Sequence, residues 1–252
     1  MLGDVLPAEA FAFLLVFTRL AAIVAVVPAL GETSIPGRVR LATALLISLI
    51  LFVAVGDSLP DMPTSPLALT GLLAREFLIG IMIGGAARLI MTSLHVAGTV
   101  MAFQSGLAAA QSFDPAQGTQ SVLLSSFMTF MGVTLIFVTD LHHMVLGAMQ
   151  ASYGYFPAGG PIVFTDFALL VTDTVARSFA LGMQLAAPMI VYGLIFNIGL
   201  GLTARLMPQL PIFFIAMPLN LMLGFVILLF TISSLMMWFL THFEDQLATF
   251  LG

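Results

Sequence analysis

Six apolar runs, Ala10–Leu30, Val39–Val55, Phe77–Phe103, Val122–Val138, Phe179–Ala204 and Ile212–Leu240, set what this chain can fold into. A helix crosses a bilayer core with about 20 apolar residues, so each run reads as a long apolar helix. The chain is 60% hydrophobic and 8% charged, too poor in polar groups for an ordinary soluble domain. The expectation is an all-α membrane protein of about six long apolar helices. Leu141–Ala151 adds a shorter apolar helix. Gly56–Pro66 (GDSLPDMPTSP) carries three prolines and two aspartates and reads as a loop, and between the fourth and fifth runs Tyr153–Asp173 is aromatic, glycine-bearing and proline-interrupted.

Composition removes several functions. All seven basic residues are arginine and the net charge is -5, so there is no basic surface for nucleic acid. No cysteine is present, which excludes disulfides, thiolate metal sites and cysteine nucleophiles. MLGDVLPAEAF has acids where a signal peptide has basic residues, and the first run is expected to be retained. Arg38, Arg40 and Arg205 fall in turns that the arginine bias assigns to the cytoplasm. The N-terminus, the Asp57/Asp61 loop and Glu244/Asp245 then fall on the opposite side.

Polar interruptions are where function is sought. Gln104–Gln120 (QSGLAAAQSFDPAQGTQ) is a glycine-bearing stretch with one charge between two apolar runs. Lipid cannot satisfy irregular backbone, so such a segment is either buried in protein or lines a water-filled path. Pro28, Pro188 and Pro218 lie in or at the ends of apolar runs, where each removes a backbone hydrogen bond and asks for packing against protein. Gly80 and Gly84, beside Gly85 and Ala86, form a face that lets two backbones approach, within the chain or between subunits. Asn197, Gly199 and Gly201 form a second such stripe.

Charges inside apolar runs cost at least a few kcal/mol without a partner. Arg19 stands in the first run, Arg75 and Glu76 open the third, and Arg88 lies within it. Arg75 and Glu76 are adjacent and point in different directions on a helix, so separate partners are expected. Arg19 and Arg88 are expected to be structural, pairing with backbone carbonyls or neighbouring subunits. The runs have essentially no interior carboxylates for a proton relay. Asp140-Leu141-His142-His143 is the one cluster with metal-ligand chemistry, but adjacent helical histidines point to different faces, and zinc sites use three or four suitably spaced ligands. No metal site is expected, and the cluster reads as a helix end at the membrane boundary. No GxSxG, P-loop or dinucleotide fingerprint occurs, and Ser105 and Ser112 lack a positioned base. No catalytic residue or cofactor is assigned.

Three blocks carry a family resemblance: Thr18–Ala44 with its IPxRVR turn, Arg75–Gln120 including EFLIGIMIGGAARL and AAQSFDP, and Asn197–Gly224 (NIGLGLTARLMPQLPIFFIAMPLNLMLG). In this order they resemble the FliR family of flagellar and virulence type III secretion export-gate proteins. Asp140-Leu-His-His replaces a usual Asp-Gly-His-His, and Pro218-Leu-Asn220 a usual Pro-Leu-Lys. The resemblance implies a noncatalytic subunit of a helical, hetero-oligomeric export gate in the bacterial inner membrane and flagellar basal body, built of tilted, proline-broken hairpins. It implies FliP-like and FliQ-like membrane partners, FlhA-like and FlhB-like export components, and unfolded export substrates. Residues 1–175 look FliP-like and 176–252 like a FliQ-like hairpin, within one export-gate domain.

The same resemblance makes the loop at about 103–120 a channel plug, with Phe103, Gln104, Ser105, Gly106, Gln111, Phe113, Asp114 and Pro115 as its candidates. It makes Asn197, Arg205, Pro208, Pro211 and Pro218 the C-terminal hairpin motif. Glutamines and serines satisfy one another and water without charge, Gly106 and Gly118 offer hinges, and Asp114-Pro115 favours a turn. Two other classes stay open on residues alone. A secondary transporter predicts an internal repeat and coupling carboxylates, neither evident here. An intramembrane enzyme predicts a catalytic constellation, also not evident. Within the family, a virulence-type gate is the alternative to a flagellar one.

Overall fold

The computed structural model describes residues 2–32, 35–107, 120–160, 164–209 and 211–248. These form α1 (Leu2–Val26), α2 (Gly37–Val55), a 3-10 turn at Gly56–Ser58, α3 (Pro66–Gln104), α4 (Gln120–Val138), α5 (His142–Tyr155), α6 (Phe164–Leu206) and α7 (Ile212–Ala248). No strand occurs among the described residues. Pro7–Val26, Gly37–Val55, Pro66–Gln104, Ala168–Leu206 and Phe214–Ala248 are long and apolar enough to cross a membrane, and α4 with α5 makes a sixth span if the two count as one broken one. The chain is an all-α membrane protein.

Two helices start earlier than their apolar runs. α3 begins at Pro66 rather than Phe77, because proline suits a first helical position and Ser65 caps it, its Oγ accepting from the Ala68 N–H at 3.5 Å. α6 begins at Phe164 rather than at the start of the apolar run at Phe179, so the second half of the stretch 153–173 is helical. Residues 164–178 contain no glycine or proline to stop a helix. With 39 and 43 residues, α3 and α6 are about twice as long as a bilayer core requires. Their hydroxyls turn inward: Thr99 and Thr174 donate to the carbonyls of His95 and Leu170 at 2.8 and 2.7 Å, which hides polar groups that lipid cannot satisfy.

The chain divides into two compact units. The first comprises residues 1–89, 137–175 and 244–252. Its core gathers Val16, Leu20, Ile23 and Val24 of α1 and Val27 just after it with Ala44 and Val55 of α2, Ala87 of α3, and Met149 and Tyr153 of α5. Gly80 and Gly84 of α3 pack on α1. A Cβ on Gly80 meets the Arg19 carbonyl and lies 2.6 Å from Ala22 Cβ, and one on Gly84 comes 2.9 Å from the Ile23 carbonyl oxygen. The adjacent Gly85 faces open space. Gly80→Ala is therefore expected to destabilise by about 1–3 kcal/mol through overpacking against backbone. Gly85→Ala should be neutral or stabilise by up to about 1 kcal/mol through helix propensity. Thermal unfolding of the two detergent-solubilised variants measures the difference.

The second unit comprises residues 90–136 and 176–243. Small residues again set the spacing: Gly98 of α3 abuts the Ser125 backbone of α4, Gly132 of α4 abuts the Leu94 side chain, and Gly182 of α6 sits against the Ser93 carbonyl. Met101, Met128, Leu185, Met189, Phe239 and Phe243 fill its interior.

Candidate functional site at the root of the mid-chain loop

The last turn of α3 carries the polar segment singled out in the sequence, and the second unit holds that turn from two sides. The Ser105 N–H donates to the Met101 carbonyl at 2.9 Å and the Gly106 N–H to the Phe103 carbonyl at 3.2 Å, closing the helix. Gly106 has φ +76°, a left-handed conformation suited to glycine at a helix end. Asn220 of α7 donates from Nδ2 to the Gln104 carbonyl at 3.4 Å, capping that end. Asn220 is itself fixed by Tyr192 of α6, whose hydroxyl donates to Asn220 Oδ1 at 2.7 Å and lies 3.0 Å from the Asn220 carbonyl oxygen.

Glycines let this contact form. A Cβ on Gly193 of α6 runs into the Gln104 amide, one on Gly224 of α7 comes 2.7 Å from Ser105 Cβ, and one on Gly106 comes 2.7 Å from Asn220 Nδ2. Ser105 is buried, and its hydroxyl donates to the Ala102 carbonyl at 3.1 Å. Phe103 stays 64% exposed, the one large apolar side chain of this turn directed outward. Gln111, Phe113, Asp114 and Pro115 lie outside the described residues. The site contains amides, hydroxyls and carbonyls, a set suited to holding and releasing a segment.

Residues expected to be structural fall in the first unit. Arg19 is fully buried and uses most of its donors: Nε to Glu76 Oε2 at 2.6 Å, Nη1 to the Ser152 carbonyl and hydroxyl at 3.2 and 3.3 Å, and Nη2 to the Phe156 carbonyl at 2.8 Å. Its guanidinium lies 4.0 Å from the Tyr153 ring centroid, a cation–π contact. The neighbours Arg75 and Glu76 have separate partners, Arg75 donating to the Pro157 carbonyl at 3.1 Å. Arg88 differs from a buried charge: it is exposed, and its Nη1 lies 3.4 Å from the Val26 carbonyl.

In the hairpin motif, Asn197 donates to the Gly193 carbonyl of its own helix at 2.8 Å, while Arg205, Pro208 and Pro211 lie exposed at the α6–α7 turn. Among the described residues, Gly199 and Gly201 have no neighbour in reach of a Cβ, so this small stripe is not covered by them. Pro218 stands inside α7, two residues before Asn220. Of the residues that grip the root, Asn220 stands out in the sequence only as a departure from the family's Pro-Leu-Lys, and Tyr192, Gly193 and Gly224 carry no signal beyond polarity or smallness within otherwise apolar runs.

Long, glycine-packed apolar helices, with the polar C-terminal turn of α3 held by α6 and α7, define a helical membrane protein. The model for bacterial export proteins, family 1, matches residues 10–246, and the chain belongs to that family. It is 41% identical over 236 residues to the flagellar biosynthetic protein FliR of Caulobacter vibrioides, covering 94% of each chain. The FliR of Escherichia coli is 29% identical over 93% of this chain and 88% of its own. A protein named Yop proteins translocation protein T, from Yersinia pestis, is 25% identical over 87% of this chain and 85% of its own.

Proposed function

We propose that this chain is the FliR-type channel subunit of a flagellar type III protein export gate, acting without catalysis in the bacterial inner membrane at the flagellar basal body. The observation that carries this reading is the match to flagellar relatives along nearly the whole chain, 94% of it in one case. The 25% identity to the Yersinia translocation protein makes a virulence-type gate the second reading.

The surface supports an assembled state. Leu46, Leu49, Ile50 and Val53 of α2 and Leu194, Ile195, Ile198 and Leu202 of α6 are exposed, as are Leu229, Phe230 and Met237 of α7. Lipid and FliP-like and FliQ-like membrane subunits are the proposed occupants, with residues 1–175 serving as the FliP-like part and 176–252 as the FliQ-like hairpin. FlhA-like and FlhB-like components complete the apparatus through which unfolded substrates pass. The plug reading places Phe103–Gln120 across that path at rest, with Gln111, Phe113, Asp114 and Pro115 among its candidates. Arg19, Arg75, Glu76 and Arg88 serve structure, and Asn197, Arg205, Pro208, Pro211 and Pro218 serve the hairpin and its contacts.

Deleting the gene in its native host is expected to abolish motility and export of flagellar proteins, and the extracted chain should copurify with two other small membrane proteins. A monomer or homodimer that restores motility by itself would refute the gate. Loss of virulence-protein secretion with motility intact would select the second reading.

A further inference from the structure

We propose that Asp140, His142 and His143 form a surface site for a divalent transition-metal ion of the zinc class, which ties the turn between α4 and α5 to the first turn of α5. Adjacent histidines within a helix diverge, but these two open α5, one residue after the left-handed Asp140, whose φ is +60°. Their imidazole centroids lie 4.1 Å apart with planes tilted 35°. His143 Nδ1 lies 3.9 Å from Asp140 Oδ1 and 3.2 Å from the Asp140 carbonyl oxygen. One ligand atom from each of the three residues falls within 4.8 Å of the others.

Tetrahedral zinc with bonds of about 2.1 Å holds its ligand atoms about 3.4 Å apart, so side-chain rotation of about 1 Å brings the three into coordination. Two further observations favour a ligand. His142 Nδ1 is buried without a hydrogen-bond partner, although its ring is held by stacking on Phe137 at 5.0 Å. Asp140 and His143 are 77% and 68% exposed in their side chains, so an ion arrives from water and water fills the remaining position. Two imidazoles and one carboxylate suit zinc, nickel or copper, whereas calcium and magnesium prefer all-oxygen sets.

The test titrates untagged, detergent-solubilised full-length protein with Zn2+ by calorimetry, with Ca2+ as the comparison ion. The expected result is one Zn2+ per chain, no Ca2+ at the same concentration, and Zn2+ affinity at least roughly tenfold weaker in Asp140→Asn, His142→Ala and His143→Ala. His95→Ala and His242→Ala should bind as the parent does. His143 is exposed, so its alanine variant tests the ligand without a core change, and far-ultraviolet circular dichroism checks that each variant stays helical. Zn2+ binding unchanged in a variant that combines Asp140→Asn, His142→Ala and His143→Ala overturns the proposal, as does no binding by the parent protein, or binding lost instead with His95→Ala or His242→Ala.

Discussion

Arg19→Ala is expected to be among the most damaging single substitutions outside the loop, lowering stability by about 3–5 kcal/mol, because it leaves the Glu76 carboxylate buried and unpaired. Both side chains are almost wholly inaccessible to solvent. The guanidinium also caps the end of α5 through the Ser152 and Phe156 carbonyls, so one residue joins α1, α3 and α5. Glu76→Ala should do comparable damage for the mirror reason. Arg19→Lys keeps the charge but loses the planar fork that serves three partners at once, and should fall between. The decisive variant removes both charges. Arg19→Met with Glu76→Met abolishes the pair without stranding a charge and should recover much of the loss, since apolar replacement of a buried ion pair is often near neutral. Thermal unfolding in detergent and the amount of chain in the membrane are the readouts. A double variant as unstable as the sum of its singles would mean that the cluster matters for shape rather than for charge pairing.

That cluster marks where sequence reading stops. The ends of the polar loop are legible: α3 ends at Gln104 and α4 starts at Gln120, where apolar residues give way to glutamine and glycine. The starts of α3 and α6 are not, since an apolar-run rule is blind to mixed first turns such as Pro66–Glu76 and Phe164–Ser178. Partners are less legible still. Arg19 and Glu76 are 57 positions apart, and Tyr192 and Asn220 are 28 apart. Nothing local selects Glu76 over another acceptor. Two stripes of similar composition have opposite outcomes: Gly80 and Gly84 press on α1, while Gly199 and Gly201 face outward. Smallness permits close approach, and only the tertiary arrangement supplies the neighbour. The two histidine rings, expected to diverge as neighbours on a helix, lie with centroids 4.1 Å apart at the first turn of α5.

Deleting Gln111–Gln117 should open the channel to ions and small solutes, if the loop blocks the path at rest. The root geometry turns this into a graded series. Gly106→Val forces a β-branched residue into φ +76° and drives its Cβ toward Asn220, so the α3 end cannot keep both its turn and its cap. The expected leak approaches that of the deletion. Asn220→Ala removes the side-chain donor to the Gln104 carbonyl and leaves the Tyr192 hydroxyl with the backbone oxygen alone. A hydrogen bond of this kind contributes about 0.5–1.5 kcal/mol, enough to raise the released population roughly two- to twelvefold. Tyr192→Phe removes only the hydroxyl that orients Asn220 and should leak least. Dye or proton flux across vesicles carrying the assembled complex, with copurification confirming assembly, ranks the four. Intact complexes that stay tight after the deletion would remove the plug from the mechanism. A leaky deletion beside tight Gly106→Val and Asn220→Ala complexes would keep the plug but place its hold on the channel beyond the α3 root, because loosening a contact that restrains the loop cannot leave its resting population unchanged.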